Sequence, residues 1–429
     1  MGLDDRRGAR LRHERLVGVV LSRARDPARR ARLQPARRLA PRHARPEAPP
    51  ALSVPAQSVA RAVVVGGGLV GLSAALHLRR ADPGLSVTVL ERRRVGAAAS
   101  GASAAGVRAM GREPAERALA LESLRRWPEL ERELEAATGY RRGGGLRVAL
   151  DDGEWAGAPA AVAEQRASGV PVELVDGPAA QHLAPGLSPD CPGGIHCPID
   201  GQANAMATVS AFATAARRLG ARVEEGVGAA ALETANGRIT AVVREDGGRE
   251  ACDLAIVAAG AWSGTLLAGV GVRIPLQARA LQMLLTDPAP PRLSPVLSRF
   301  AGGLSLKQLT DGAYLIGGGW PALILDEAAN RWEVQEDSVR GSLEVARAVY
   351  PPLAGCVVAE RWAGIEAFTP DGLPVLGPVP GTDGLLVAAG FSGHGFALAP
   401  VVGDVLARLG LGREPLAHLW SGLRVGRRA

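Results

Sequence analysis

"RAVVVGGGLVGLSAALHLRR", residues 61–80, decides the fold of this 429-residue chain. Ala62–Val65 is a short β-branched run, the composition of a parallel strand buried on both faces. Gly66, Gly68 and Gly71 follow in G-x-G-x-x-G spacing, and "LSAALHLRR" after them is good helix-forming sequence. Each glycine has its own task. Gly66 permits the tight turn, Gly68 lets the backbone approach a pyrophosphate, and Gly71 lets the helix pack closely on the strand. The first helical turn, with Leu69 and Val70, offers free N–H groups and a partial positive charge to phosphates. A second strand, "LSVTVLER" (85–92), ends in Glu91 just before Arg92, twenty residues past Gly71. A carboxylate there accepts the hydroxyls of an adenosine ribose that has no 2′-phosphate. The stretch reads as a dinucleotide site, and by itself it leaves NAD and FAD both open.

Composition bounds the rest. The chain is long enough for two domains, and 47% apolar residues are ample for a core. Only one lysine, Lys307, stands among 50 basic residues. Residues 1–60 hold 14 Arg against five acidic residues, so the formal charge of +7 resides in that segment and the body is near neutral. This excludes a nucleic-acid-binding body. Residues 1–58 read as an Arg/Pro-rich extension without regular structure. "LVGVVL" (16–21) is too short for a signal-peptide core, and no run reads as a membrane span. The four cysteines are scattered. Cys191 and Cys197, even with His196 between them, are too few for a metal site, so reduced cytoplasmic thiols and no metal are expected.

Four further segments carry a family resemblance: "ERRRVGAAASGASAAGVR" (91–108), "DGQANAMATVSAFATAARRLGARVEEG" (200–226), "LAIVAAGAWSGTLL" (254–267) and "GIEAFTPDGLPVLGPVPGTDGLLVAAGFSGHGFALAPVVGDVLARL" (364–409). Through them residues 60–420 resemble the D-amino-acid-oxidase-like family of FAD-dependent amine oxidoreductases, which includes sarcosine oxidase β subunits, proline and hydroxyproline dehydrogenases and glycine oxidase. In the last segment a strand runs into a second glycine loop with an amphipathic helix behind it. A helix N-terminus there suits the negative charge of a reduced flavin, and a nicotinamide enzyme has no need of it. FAD is therefore the expected cofactor. The resemblance places Ser100 and Gly101 beside the flavin, Ala229 near the adenine, and Gly260 and Trp262 at the turn that closes the site. Gly390, Gly393, His394, Gly395 and Phe396 would wrap the ring. Gly364 stands where some relatives carry a cysteine that links FAD, so attachment is expected to be non-covalent.

The fold so implied is α/β, a Rossmann-like FAD-binding domain interleaved with a mainly antiparallel β-sheet substrate domain. The FAD-binding part is expected over 59–143, 198–274 and 355–429, and the substrate part over 144–197 and 275–354. "RLSPVLSRFAGGLSLKQLTDGAYLIGGGW" (292–320), short strands separated by glycine turns, suits the second.

The resemblance implies hydride transfer from the α-carbon of an amine or imino acid to flavin N5, giving an imine that water hydrolyses. Such a site needs a dry pocket and a cation for the substrate carboxylate. Arg108 and Arg112 follow the flavin-side stretch and are candidates, although either could be a surface arginine in so Arg-rich a chain. Sarcosine oxidases carry a lysine where this chain has Ala397, which points away from sarcosine itself. Lys307 is either a compact ammonium near the reacting atoms or a residue of a sheet surface. His394 is a candidate for a hydrogen bond to the ring, a proton relay or a structural role. An oxidase of 2-hydroxy acids or glycerol phosphate on the same fold is the alternative, and a non-catalytic FAD-binding protein is the third reading. The expected partner is a small-molecule amine, with room for other subunits of a hetero-oligomer and with neither nucleic acid nor a transmembrane segment.

Overall fold

The computed structural model describes residues 59–413 and 416–427; the extension read over 1–58 lies outside them. A six-stranded sheet forms the first layer, in the order Val375–Pro378, Leu385–Ala389, Leu254–Val257, Arg61–Val65, Ser86–Glu91, Arg222–Glu225. All its pairings are parallel except that of the edge strand Val375–Pro378. Val64 lies in register between Ile256 and Val89, and all three are fully buried. A strand flanked on both sides and covered on both faces has to be apolar throughout, which is why "AVVV" reads so clearly.

From Arg61–Val65 the chain moves outward to Ser86–Glu91 on one side, and returns later to Leu254–Val257 on the other. This is a topological switch point, and it opens a crevice beyond the carboxyl ends of these strands. Two helices start at that crevice, Leu69–Ala81 after the first strand and Gly395–Gly410 after Leu385–Ala389. They cross in direct contact: a Cβ on Gly403 would lie 2.2 Å from Ser73 Oγ and 2.5 Å from the Ser73 carbonyl carbon.

The second layer is a ten-stranded, mainly antiparallel sheet built from strands between Gly145 and Phe368, with one parallel pair, Val296–Arg299 against Gly145–Ala149. Strand Val358–Phe368 lies in a stretch expected in the FAD-binding part. It pairs along Gln277–Pro288, from Gln277 opposite Phe368 to Thr286 opposite Val358, and so belongs to this sheet. The twelve residues of Gln277–Pro288 present an edge that such a long strand satisfies. A three-stranded meander, Ala229–Ala235, Arg238–Arg244 and Arg249–Ala251, is a further feature. Its first turn is Asn236–Gly237 with φ of +52° and +73°, the left-handed pair a tight hairpin needs. No helix among the described residues is long and apolar enough to cross a membrane.

Candidate active site

The crevice is a cavity of about 570 Å³ that follows the strand ends. Gly390, Ala258, Gly66 and Glu91, which end or follow four successive strands, all line it. At about 4.8 Å per strand these four positions span about 14 Å. We call the Glu91 end outer and the Gly390 end inner.

At the centre, Gly66 has φ +112°, and a Cβ there would sit 2.4 Å from the Ala258 carbonyl oxygen. Gly68 begins the helix and faces the cavity. The Gly67 N–H donates to Glu91 Oε2 (2.8 Å) and the Arg93 N–H to Glu91 Oε1 (2.9 Å). Burial raises the Glu91 carboxyl above its ordinary range, and these two bonds work against that rise. Glu91 thus ties the glycine loop to the second strand while lining the outer end. Glu91→Ala removes both acceptors; we expect FAD affinity to fall about 10- to 100-fold, at ~1.4 kcal/mol per tenfold, in a fluorescence titration of the apoprotein.

Of the residues expected at the cofactor, Val70, Arg92, Ser100, Ala229, Gly260 and Trp262 line the cavity. Three residues placed with them do not. Leu69 is buried, and its N–H donates to Ser100 Oγ (2.9 Å). A Cβ on Gly71 would lie 2.0 Å from the Gly66 carbonyl oxygen, and one on Gly101 would lie 2.3 Å from that of Gly96. Both glycines allow close packing behind the lining.

Gly390, Gly393, Gly395 and Phe396 line the inner end, where Gly390 (φ +70°), Ser392 (+50°) and Gly393 (+87°) turn the chain into the helix. His394 is the exception within this loop. Its ring turns onto Glu116, with Nδ1 2.8 Å from Oε2 of that fully buried carboxylate. Burial lowers the His394 pKa, nearby Arg112 adds to the effect, and Glu116 opposes it. Arg112 is itself buried, its Nε donates to the Arg108 carbonyl (3.2 Å), and burial lowers its pKa to about 10. Arg108 is half-buried beside Asp200 with its Nε buried and unpartnered, and burial lowers its pKa too. Neither arginine is among the cavity-lining residues, and both flank the His394–Glu116 pair.

Lys307 is buried in the second sheet, where its Nζ donates to the Ala203 carbonyl (2.8 Å) and burial lowers its pKa to about 7. It is neither a surface residue nor part of the cavity lining. Ala397 is buried, and its carbonyl accepts from Trp127 Nε1 (2.9 Å).

Two parts of the lining were not anticipated. The tip of the hairpin between Pro321–Asp326 and Arg331–Glu333 reaches over the cavity. There the Glu327 carbonyl accepts from Trp262 Nε1 (3.1 Å) and Asn330 Nδ2 donates to the Ala97 carbonyl (3.1 Å). The second is Glu366, on strand Val358–Phe368 at the inner end. That strand lies against the small-residue stretch: Trp362 Nε1 donates to the Ala102 carbonyl (3.1 Å), and a Cβ on Gly364 would lie 2.5 Å from Ala102 Cβ. Gly364 is thus required by this approach.

These residues fit FAD. The cavity runs past a ribose-binding carboxylate, a glycine turn at one helix N-terminus and a second glycine turn at another. Asn330, whose Oδ1 is buried without a partner, lines the same space. Fold and site together define an FAD-dependent oxidoreductase. Residues 61–409 match the family described as FAD dependent oxidoreductase, and the chain belongs to that family. It is 32% identical to the glycine oxidase of Pseudomonas putida over 364 residues, 82% of this chain and 95% of that one. It is 30% identical to the bifunctional protein ThiO/ThiG of Synechocystis over 376 residues, 86% of this chain but 54% of that protein, so it spans about half of that relative's length. Among solved structures, L-proline dehydrogenase from P. horikoshii superposes with a TM-score of 0.77 at 27% identity, covering 85% of this chain and 96% of that one.

Proposed function

We propose that this enzyme oxidises the C–N bond of a small amino-acid-like amine or imino acid, with non-covalent FAD. The observation that carries the reading is the single cleft joining Glu91, the two glycine turns and a covering sheet face. Similarity to a glycine oxidase and a proline dehydrogenase supports the amine class. The only basic side chains in the lining are Arg92 and Arg93, at the outer end, and Arg92 is paired with Glu245 (2.7 Å). Among the described residues the lining holds no Cys or His.

When bound, FAD supplies the two-electron, hydride-accepting chemistry. The chain supplies the rest. The two sheets act as a cofactor-holding and a substrate-covering part. Trp362 and Gly364 hold the covering strand against Ala102. Arg108, with an unspent buried Nε, stands behind the lining, and His394 with Glu116 holds the loop that carries Gly393 and Gly395. All four cysteines are free thiols, which suits a reducing, cytoplasmic setting.

The test is anaerobic addition of proline, hydroxyproline, sarcosine and glycine to the purified full chain, following the flavin band near about 450 nm. Bleaching by at least one amine is the expected result. Bleaching by 2-hydroxy acids alone would overturn the amine reading. Return of the colour on admitting air would mark an oxidase; a bleached enzyme that stays reduced would hand its electrons to a partner subunit or another acceptor.

A further inference from the structure

Glu366 is a carboxylate at the inner end of the cleft, and no basic group among the described residues neutralises it. The backbone N–H of Gly393, in the second glycine turn, faces its carboxyl. A Cβ built on Gly393 would lie 3.8 Å from Glu366 Oε2, so the carboxylate rests against the turn that heads helix Gly395–Gly410.

The charged groups on neighbouring elements are engaged elsewhere. Arg279 is the cross-strand neighbour of Glu366, yet its guanidinium lies over the Phe368 ring (4.8 Å from the centroid) and its Nη2 donates to Gln277 Oε1 (2.8 Å). Arg331, on the hairpin strand beside Val358–Phe368, pairs with Asp326 (3.4 Å), and Glu333 is exposed. His394 is held by Glu116. The stretch Ala98–Ser103 and the turn Gly260–Trp262, both packed against this strand, carry no charge. Burial raises the Glu366 carboxyl to about 7, with the Gly393 N–H opposing the rise. A carboxylate kept without a counter-ion in a ligand cleft is a site for a cation.

We propose that Glu366 receives the ammonium group of the substrate and takes one of its protons, so that the cleft selects ligands by their cationic nitrogen. The inference rests on the amine reading and deepens it. In the first step an N–H bond breaks, its electron pair stays on nitrogen, and the proton passes to a Glu366 oxygen. The α-C–H bond then breaks and hydrogen leaves with the C–H bonding pair for the cofactor, while the nitrogen lone pair closes the C=N bond. The substrate loses two electrons and FAD gains two.

The test uses FAD-loaded wild type, Glu366→Gln and Glu366→Asp. Tetramethylammonium and acetate serve as non-reacting probes, read through the perturbation of the flavin visible spectrum from pH 6 to pH 8.5. In wild type, tetramethylammonium affinity should rise about tenfold from pH 6 to pH 8 as the carboxylate ionises, and acetate affinity should fall. Glu366→Gln should remove both trends and bind acetate best, whereas Glu366→Asp should keep the trends with weaker binding. Flat tetramethylammonium binding in wild type, or unchanged trends in Glu366→Gln, would overturn the proposal. The two readings separate cleanly. Amines that bleach wild type while Glu366→Gln keeps the wild-type trends leave the amine reading standing without Glu366. Probe binding that depends on Glu366 in an enzyme no amine reduces leaves the cation site standing without amine oxidation.

Discussion

Gly66→Ala should yield a protein that no longer retains FAD and is less stable by about 2–5 kcal/mol. Two terms make up that range. The residue sits at φ +112°, where an L side chain is strained by about 1–2 kcal/mol. Its Cβ would meet the Ala258 carbonyl oxygen at 2.4 Å and the carbonyl carbon at 2.8 Å, an overpacking of about 1–3 kcal/mol. Neither atom can rotate away, because Ala258 follows strand Leu254–Val257, paired directly with Arg61–Val65. The strands must part at the point where the cofactor would lie. Gly68→Ala is the control, since its Cβ meets only Ser100 Oγ, at 3.1 Å, and that hydroxyl can turn. It should fold with nearly wild-type stability and bind FAD more weakly. The ratio of flavin to protein absorbance after gel filtration, with a thermal melt of each variant, separates the two outcomes. A yellow Gly66→Ala protein with an unshifted melt would show that the turn relaxes more than the close approach to Ala258 allows.

Lys307→Met should change how stability depends on pH. Burial lowers the folded-state pKa of Lys307 to about 7, against 10.5 for the free side chain. Between these values the unfolded chain holds a proton that the folded chain has released. Stability from this group therefore rises with pH across the window, by up to ~1.4 kcal/mol per unit, and is lowest below pH 7. Methionine fills similar space without an ammonium to desolvate, but it leaves the Ala203 carbonyl without its donor, at about 1–3 kcal/mol. Wild-type stability relative to Lys307→Met should accordingly grow by ~1 kcal/mol per unit from pH 7.5 to 8.5. Urea midpoints of both proteins at saturating FAD measure it. Taking the difference cancels the other titrating groups, and parallel curves would mean that Lys307 is solvated in the folded protein.

His394 shows where reading a sequence runs out. Lying between glycines in the second glycine turn, it reads as a hydrogen-bond partner of the ring, a proton relay or a structural residue; only the structure shows its ring against Glu116, 278 positions earlier. Gly101 reads as a neighbour of the flavin and serves close packing against Gly96, whereas Gly71 makes the close helix-on-strand approach that its spacing predicts. Lys307 is unusual in composition, but only burial beneath the second sheet gives it an unusual proton affinity. The Asn236–Gly237 hairpin was available to be read, because its signal lies in two adjacent residues.

The sequence by itself determined what depends on neighbours a few residues apart. That includes the β-branched central strand, the glycine spacing that turns it into a helix, the acidic end of the second strand, and the second glycine turn that with the first points to FAD. These are local because backbone conformation and helix N-termini are local. Tertiary structure alone decided which side chains face the cleft and what charge they hold there. Glu366 becomes an unpaired carboxylate only because the strand bearing it pairs with Gln277–Pro288 and rests against Gly393, while Arg279 lies over Phe368. Desolvation and the presence or absence of a counter-ion are properties of residues brought together from far along the chain, and no local pattern encodes them.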